Sequence, residues 1–233
     1  KSKKFINGMI KGLRTVKPKA QKIIDVLMSW DFIMSAESSA ATVYQVLIYK
    51  IIRNIVEEDL GKELTDKYMG VGEHPILIPS SELLGHTTEC LFNILQNKNS
   101  KWIASSREIL LLLEKSMIET CKWLENEMGY EIENWEWGYI HQAEFRHGMS
   151  INPLMAKIFN LGPYPIAGDT DTVFQTAYNP SSPYHATEWC PTIRMILDIG
   201  NWDNSKVISA PGQSGVLGSN YYSDMTDKWI NGE

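Results

Sequence analysis

Three groups of side chains in this 233-residue sequence could do chemistry. His141, Glu144 and His147 stand at i, i+3 and i+6, a spacing that on a helix could bring imidazole and carboxylate metal ligands near one another. The pattern is not HExxH, and an offset of six residues turns the second imidazole away from the first. Trp135, Trp137, Tyr139 and Phe145 surround these residues, so the segment also reads as an aromatic packing knot whose polar tips hydrogen-bond locally. Gly168-Asp169-Thr170-Asp171 places two carboxylates in a tight turn. They could form an acid/base pair or bind a hard cation, or they could bond backbone amides of the turn, the reading the residue types favour. Gly212-Gln213-Ser214-Gly215 approaches the nucleophile elbow GxSxG, but Val216 occupies the fifth position. The three-residue spacing of Gly212, Gly215 and Gly218 suits a loop with positive φ or close backbone approach. No dinucleotide fingerprint or phosphate-binding loop is present, so the motifs alone supply no complete catalytic set.

Helices and strands must position these groups, and their patterns change along the chain. Apolar residues at helical spacing predict helices over residues 19–34 and 40–60, the second stopping at Gly61. A Pro/Gly-marked loop over 70–79 precedes another helix with Leu83, Leu84, Leu91, Ile94 and Leu95. Ser105 and Glu108 form a capping box ahead of a stripe of Leu110, Leu113, Met117, Cys121, Leu124 and Met128, which Gly129 ends. The first part, to about residue 147, thus reads as helical. Beyond residue 150, prolines puncture the chain and period-two alternation predicts strands over 172–178, 192–199 and 206–210, with a last helix over 221–229 closed by Gly232. Helices first and strands second is the order of an α+β fold, with region 1–150 mainly helical and region 151–233 strand-rich.

Composition narrows the class. Hydrophobic residues at 43% and charged residues at 21% are ordinary globular values. The formal charge of −6 argues against wholesale nucleic-acid binding, and no apolar run approaches the length of a membrane span. Eight of the 22 Lys and Arg residues nevertheless fall within 1–22, which contains no acid. With Phe5, Ile6, Met9, Ile10, Leu13 and Val16 at helical spacing, that start is a presequence-like helix, an anion-binding arm or, the preferred reading, an ordinary packed helix. Cys90, Cys121 and Cys190 form no CxxC pair and read as buried free thiols, while His74, His86 and His185 are isolated and read as structural or solvent-facing.

Several segments, taken together, resemble the penicillin amidase (penicillin acylase) family of N-terminal-nucleophile hydrolases. They are Trp135-Glu136-Trp137-Gly138-Tyr139-Ile140-His141, followed by Phe145-Arg146-His147; Gly168-Asp169-Thr170-Asp171-Thr172-Val173; Arg194 with Ile196 and Asp198; and Ser209-Ala210-Pro211-Gly212-Gln213-Ser214-Gly215 with Ser219, Tyr222, Asp224 and Trp229. An LxxWD stretch from Leu27 to Asp31 extends the resemblance to most of the chain from about residue 13.

The resemblance implies an αββα sandwich in which self-cleavage of a precursor exposes a Ser that acts as nucleophile, with its own α-amine as general base. An Asn side chain and a backbone amide would form the oxyanion hole of a hydrolase that cleaves acyl-amine amides, as in penicillins or acylated homoserine lactones. Residue 1 is Lys, and no Asn-rich segment follows Ser2. The expectation is therefore a C-terminal piece of the large chain, inactive alone, whose catalytic residues lie elsewhere and whose strands complete the sandwich. No cofactor or metal is expected of this stretch, calcium being left to the parent. Asp169 and Asp171 are expected as supporting groups near the parent's active centre. The expected partners are the rest of the precursor, namely the small chain and the N-terminal part of the large chain, and a small acyl amide. Nucleic acid and membrane are excluded, and the piece is expected to self-associate. Family members are commonly periplasmic or extracellular, although the sequence itself gives no compartment. The alternative is a non-catalytic partner-binding module derived from an acylase.

Overall fold

The computed structural model describes residues 2–13, 16–69, 80–97, 101–102, 105–178 and 190–232. The expected loop over 70–79 with His74, and also His185, lie outside the described residues. Helices α1 (Ser2–Gly12), α2 (Pro18–Met28), α3 (Ser39–Tyr68), α4 (Ser80–Gln96) and α5 (Ser106–Met128) come first. The one-turn α6 (Trp137–Ile140), β1 (Gln142–Phe145), α7 (Pro153–Phe159) and β2 (Leu161–Pro165) follow, and then β3 (Ile193–Ile196), β4 (Lys206–Ser209) and α8 (Thr226–Asn231). Among the described residues the architecture is mixed, with a helical body and two small antiparallel strand pairs, β1–β2 and β3–β4.

α3 forms the centre of the body. Its first half is apolar around most of its circumference, and Val43, Val46, Leu47, Ile51, Ile52, Ile55 and Val56 are all buried. A helix apolar on so many sides needs cover from several directions, and α2, α4 and α5 all pack against it. α5 presents the stripe its spacing predicts, with Leu113, Met117, Cys121, Leu124 and Met128 buried. Its ends are set locally: the Ser105 hydroxyl accepts the Glu108 N–H at 3.3 Å, and Gly129 closes it at φ 87°. The basic start is a packed helix, with Ile6 and Met9 buried and Phe5 4.9 Å from Phe92 between ring centres.

Three expectations need correction. Helical geometry breaks at Gly61 (φ 69°, ψ 169°), as expected, but helix resumes as far as Tyr68. The helical part does not run to residue 147, because β1 begins at Gln142 and pairs with β2 in the register Gln142↔Pro165 and Ala143↔Tyr164. Nor is 172–178 a strand. It carries isolated bridges at Gln175, paired with Asp169, and at Ala177 in place of a strand, because the segment closes on itself: the Thr172 hydroxyl donates to the Phe174 carbonyl and accepts the Asp169 N–H, both at 2.8 Å.

A second, smaller core gathers Ala143, Ile166, Ile208 and Trp229 beneath the strand pairs. Trp229 is fully buried, its indole N–H donates to the Pro191 carbonyl at 2.7 Å, and the rings of Phe145 and Phe174 meet it edge-on at 5.2 and 5.1 Å. In β3–β4, Arg194 pairs with Ile208 and Met195 with Val207. On one side of this hairpin Ile208 is buried and Arg194 half-buried, with Ile196 at the end of the strand exposed, while Ile193, Met195 and Val207 on the other side are all more than half exposed.

Candidate functional site

Two of the motif segments, those of Gly138 and Gly168, converge on the connection between α2 and α3. Within residues 29–38 the Trp30 indole N–H donates to the Ile33 carbonyl at 3.0 Å, and Asp31 Oδ1 accepts the Ile33 N–H at 2.9 Å. Between them Phe32 adopts φ 68°, a left-handed conformation that costs an L-residue about 1–2 kcal/mol. Two glycines dock on the same connection: the Gly138 N–H donates to the Ala36 carbonyl at 2.6 Å and the Gly168 N–H to the Met34 carbonyl at 2.8 Å. Neither site has room for a side chain. A Cβ on Gly138 would lie 2.8 Å from Pro165 Cβ, and one on Gly168, where φ is 87°, would lie 2.1 Å from the Phe174 carbonyl oxygen.

The aromatic residues fasten these backbone contacts together. The Trp137 indole N–H donates to the Gly168 carbonyl at 2.8 Å, and Trp137 and Trp135 are both fully buried. His141 stacks on Trp137 with ring centres 4.5 Å apart, and the Tyr178 ring meets it edge-on at 5.4 Å. The Thr176 hydroxyl donates its single hydrogen to the Ala167 carbonyl at 3.0 Å, so it accepts from His141 Nε2 at 2.8 Å. This network assigns His141 the tautomer protonated at Nε2.

Asp169 occupies the centre of this arrangement and is 6% exposed. Its Oδ1 accepts the Asp171 N–H at 2.8 Å, the turn-capping role that the residue types favour. Its Oδ2 accepts a short hydrogen bond from the Gln45 amide, whose Oε1 accepts the Tyr178 hydroxyl at 2.5 Å. Burial pushes the Asp169 carboxyl above its ordinary range, the nearby Asp171 charge adding to the rise, while the hydrogen bonds from the Asp171 amide and Gln45 work against it. The exposed Asp171 and one side of Asp169 line a cleft of about 720 Å³ that is bounded also by the 29–38 connection, α1, α3 and α4. A buried, hydrogen-bonded acid beside such a cleft could orient a neighbouring group.

Gln45 and Tyr178 are not among the residues singled out from sequence. A polar residue within the apolar run 43–48 was the available signal for Gln45. Tyr178 had none.

The remaining candidates lie elsewhere. His141, Glu144 and His147 do not share a helix, because α6 ends at Ile140 and a strand follows. Their partners also differ: Glu144 binds Asn160 and Arg146, whereas His147 accepts the Met149 N–H at Nδ1 and approaches the Gly215 carbonyl at 3.0 Å through Nε2. Among the described residues no group of three or more His, Cys, Asp or Glu is placed to hold a metal ion. The loop of Gly212, Gln213, Ser214 and Gly215 folds onto the segment before α8, where the Ser214 N–H donates to the Tyr221 carbonyl at 3.0 Å. A Cβ on Gly212 would sit 2.3 Å from that same oxygen. This loop is built as a backbone-docking element, and the Ser214 hydroxyl accepts the Val216 N–H at 3.1 Å. No described helix is long and apolar enough to cross a membrane.

These structural roles fall on the residues that carry the family resemblance, and the whole-chain match agrees: residues 3–233 match the penicillin amidase family, to which the chain belongs. Individual relatives include an acyl-homoserine lactone acylase QuiP of Pseudomonas aeruginosa, 25% identical over 231 residues, covering 93% of this chain and 26% of that protein. The penicillin acylase 2 proenzyme of Pseudomonas sp. strain SE83 is 28% identical over 211 residues, covering 90% of this chain and 25% of its own length. The acyl-homoserine lactone acylase QuiP of Pseudomonas putida is 23% identical, with 93% and 26% covered. The chain therefore spans about a quarter of the length of the curated relatives it matches.

Proposed function

We propose that this chain is one segment of an acylase that hydrolyses the amide between an acyl group and an amine, with the nucleophile and oxyanion groups supplied by parts of the parent beyond these residues. The reading rests on the family match over residues 3–233 and on two relatives whose names describe acylases of penicillin and of acyl-homoserine lactones. Its structural support is the Asp169 network: a buried carboxyl held by Gln45, Tyr178 and the Asp171 amide at the edge of a cleft. In this reading Asp169 and Asp171 lie near the parent's active centre, where Asp169 orients a reacting or hydrogen-bonding group and does not itself attack.

The apolar hairpin β3–β4, with Ile208 buried on one face and the other face exposed, is assigned to the sandwich of the parent, where a further strand or sheet buries the exposed face. The remainder of the precursor is thus the partner, and the segment alone is inactive. Assays of the full-length parent and of the isolated chain against phenylacetylated amides and acyl-homoserine lactones test both statements. Turnover by the parent and none by the chain is expected. Turnover by the purified chain that is abolished by Ser2→Ala or Ser214→Ala would show the nucleophile to be within it and overturn the reading.

A further inference from the structure

We propose that the cleft beside the α2–α3 connection binds an organic ammonium ion carrying an apolar body. This goes beyond the acylase reading and requires no turnover. The floor of the cleft is aromatic: Trp30 lies 5.0 Å from Phe32 and 5.1 Å from Tyr44 between ring centres, and Phe92 completes the wall. Trp30, Tyr44 and Phe92 are each at least nine-tenths buried, so these rings are fixed in place. Phe32 is held at positive φ by the flanking Trp30 and Asp31 hydrogen bonds, which present its ring to the cleft.

A cation already uses this surface. Lys3 Nζ stands 5.3 Å from the Phe32 ring centre, within the range of a cation–π contact. Among the described residues that line the cleft, the carboxyl groups of Asp31, Glu89, Asp169 and Asp171 stand beside one ammonium, that of Lys3, so acidic groups outnumber basic ones there. Asp31 lies next to Phe32 in sequence and is solvent-exposed, which places a carboxylate beside the ring that already attracts a cation. Lys3 comes from an exposed position on α1, and an exposed cation–π contact is weak enough for a better-fitting cation to displace it. Lys3 therefore acts as an internal competitor for the ligand. The volume, about 720 Å³, accommodates a phenylalkyl- or alkylammonium ion.

The test is calorimetric titration of the full-length protein with 2-phenylethylammonium and with 2-phenylethanol, its neutral analogue. The ammonium is expected to bind at least tenfold tighter. Lys3→Ala should tighten it several-fold, and Asp31→Asn should weaken it several-fold without changing affinity for the alcohol. Trp30→Leu should cost about tenfold, which is about 1.4 kcal/mol. Because Trp30 is buried and its variant could misfold, the surface variants at Lys3 and Asp31 decide the matter. Equal affinity for ammonium and alcohol, no measurable binding of either, or weaker binding after Lys3→Ala would overturn the proposal. Since no amide is hydrolysed in the titration, loss of the acylase reading would leave this result intact, and the reverse also holds.

Discussion

The Asp169 carboxyl shows how one residue can be both a turn cap and a functional group. Its Oδ1 does what an Asx turn requires, while its burial and Gln45 contact exceed anything a turn needs. Because its folded pKa is raised, the native state holds the proton more tightly than the unfolded chain. The stabilising contribution is then complete below the ordinary carboxylate range and is lost as pH rises through the raised folded value. Asp169→Asn should remove that slope, measured as melting temperature against pH, and keep stability at pH 7 within about 1 kcal/mol. An amide there can donate to Gln45 Oε1 once the Tyr178 hydroxyl turns to accept from the Gln45 amide, so the chain of bonds survives with its direction reversed. In the full-length parent the same change should lower turnover by more than its effect on stability; a fall in melting temperature with turnover intact would make Asp169 a structural turn residue only. Gln45→Leu differs, because it removes both the donor to Asp169 Oδ2 and the acceptor of the Tyr178 hydroxyl, and it should cost about 1–3 kcal/mol in chemical denaturation. The thiols are separable in the same way. Burial pushes Cys121 up to about 11 and Cys190 up to about 12, whereas Cys90 is exposed. A disulfide reagent at pH 8 should therefore label Cys90 rapidly and the other two only on unfolding.

At the scale of elements, legibility followed whether the determinants were local. α5 was readable because its cap, stripe and terminal glycine all lie in its own sequence, and each is realised in the structure. Ser105→Ala should cost about 1 kcal/mol by removing the hydroxyl that satisfies the Glu108 N–H. The segment 172–178 shows the opposite case. Its alternation suits a strand, but Asp169 and Thr172 satisfy backbone groups within the turn, so among the described residues it forms isolated bridges and not a strand. The motif glycines could be recognised as a set from their resemblance to a family, yet their reason lies in tertiary contact: Gly138 and Gly168 bind consecutive parts of a connection more than a hundred residues earlier. Spacing alone could not show that His141 and His147 would be drawn to different partners, since a helix-to-strand change at residue 141 separates them.

At the scale of the molecule, the distribution of apolar surface argues for a missing neighbour. The helical body buries most of its large apolar side chains and exposes scattered ones such as Met28, Leu64 and Leu111, whereas Ile193, Met195, Ile196, Leu197, Ile199 and Val207 are all more than half exposed together on or just beyond one small hairpin. Two-stranded hairpins are marginal in water even with a polar outer face, and an exposed apolar face favours association. The net charge of −6 opposes clustering only weakly at physiological salt, because charges farther apart than about 8 Å are largely screened. The isolated chain should therefore self-associate through β3–β4 or capture the remainder of the parent. Sedimentation over a range of concentrations should show a mass that rises with concentration, and Met195→Lys together with Val207→Lys should restore the monomer without altering helical circular dichroism. Addition of the rest of the parent should compete with self-association for the same face. A monomer at every concentration would mean that the exposed hairpin tolerates water and would remove the structural support for its place in a larger sheet.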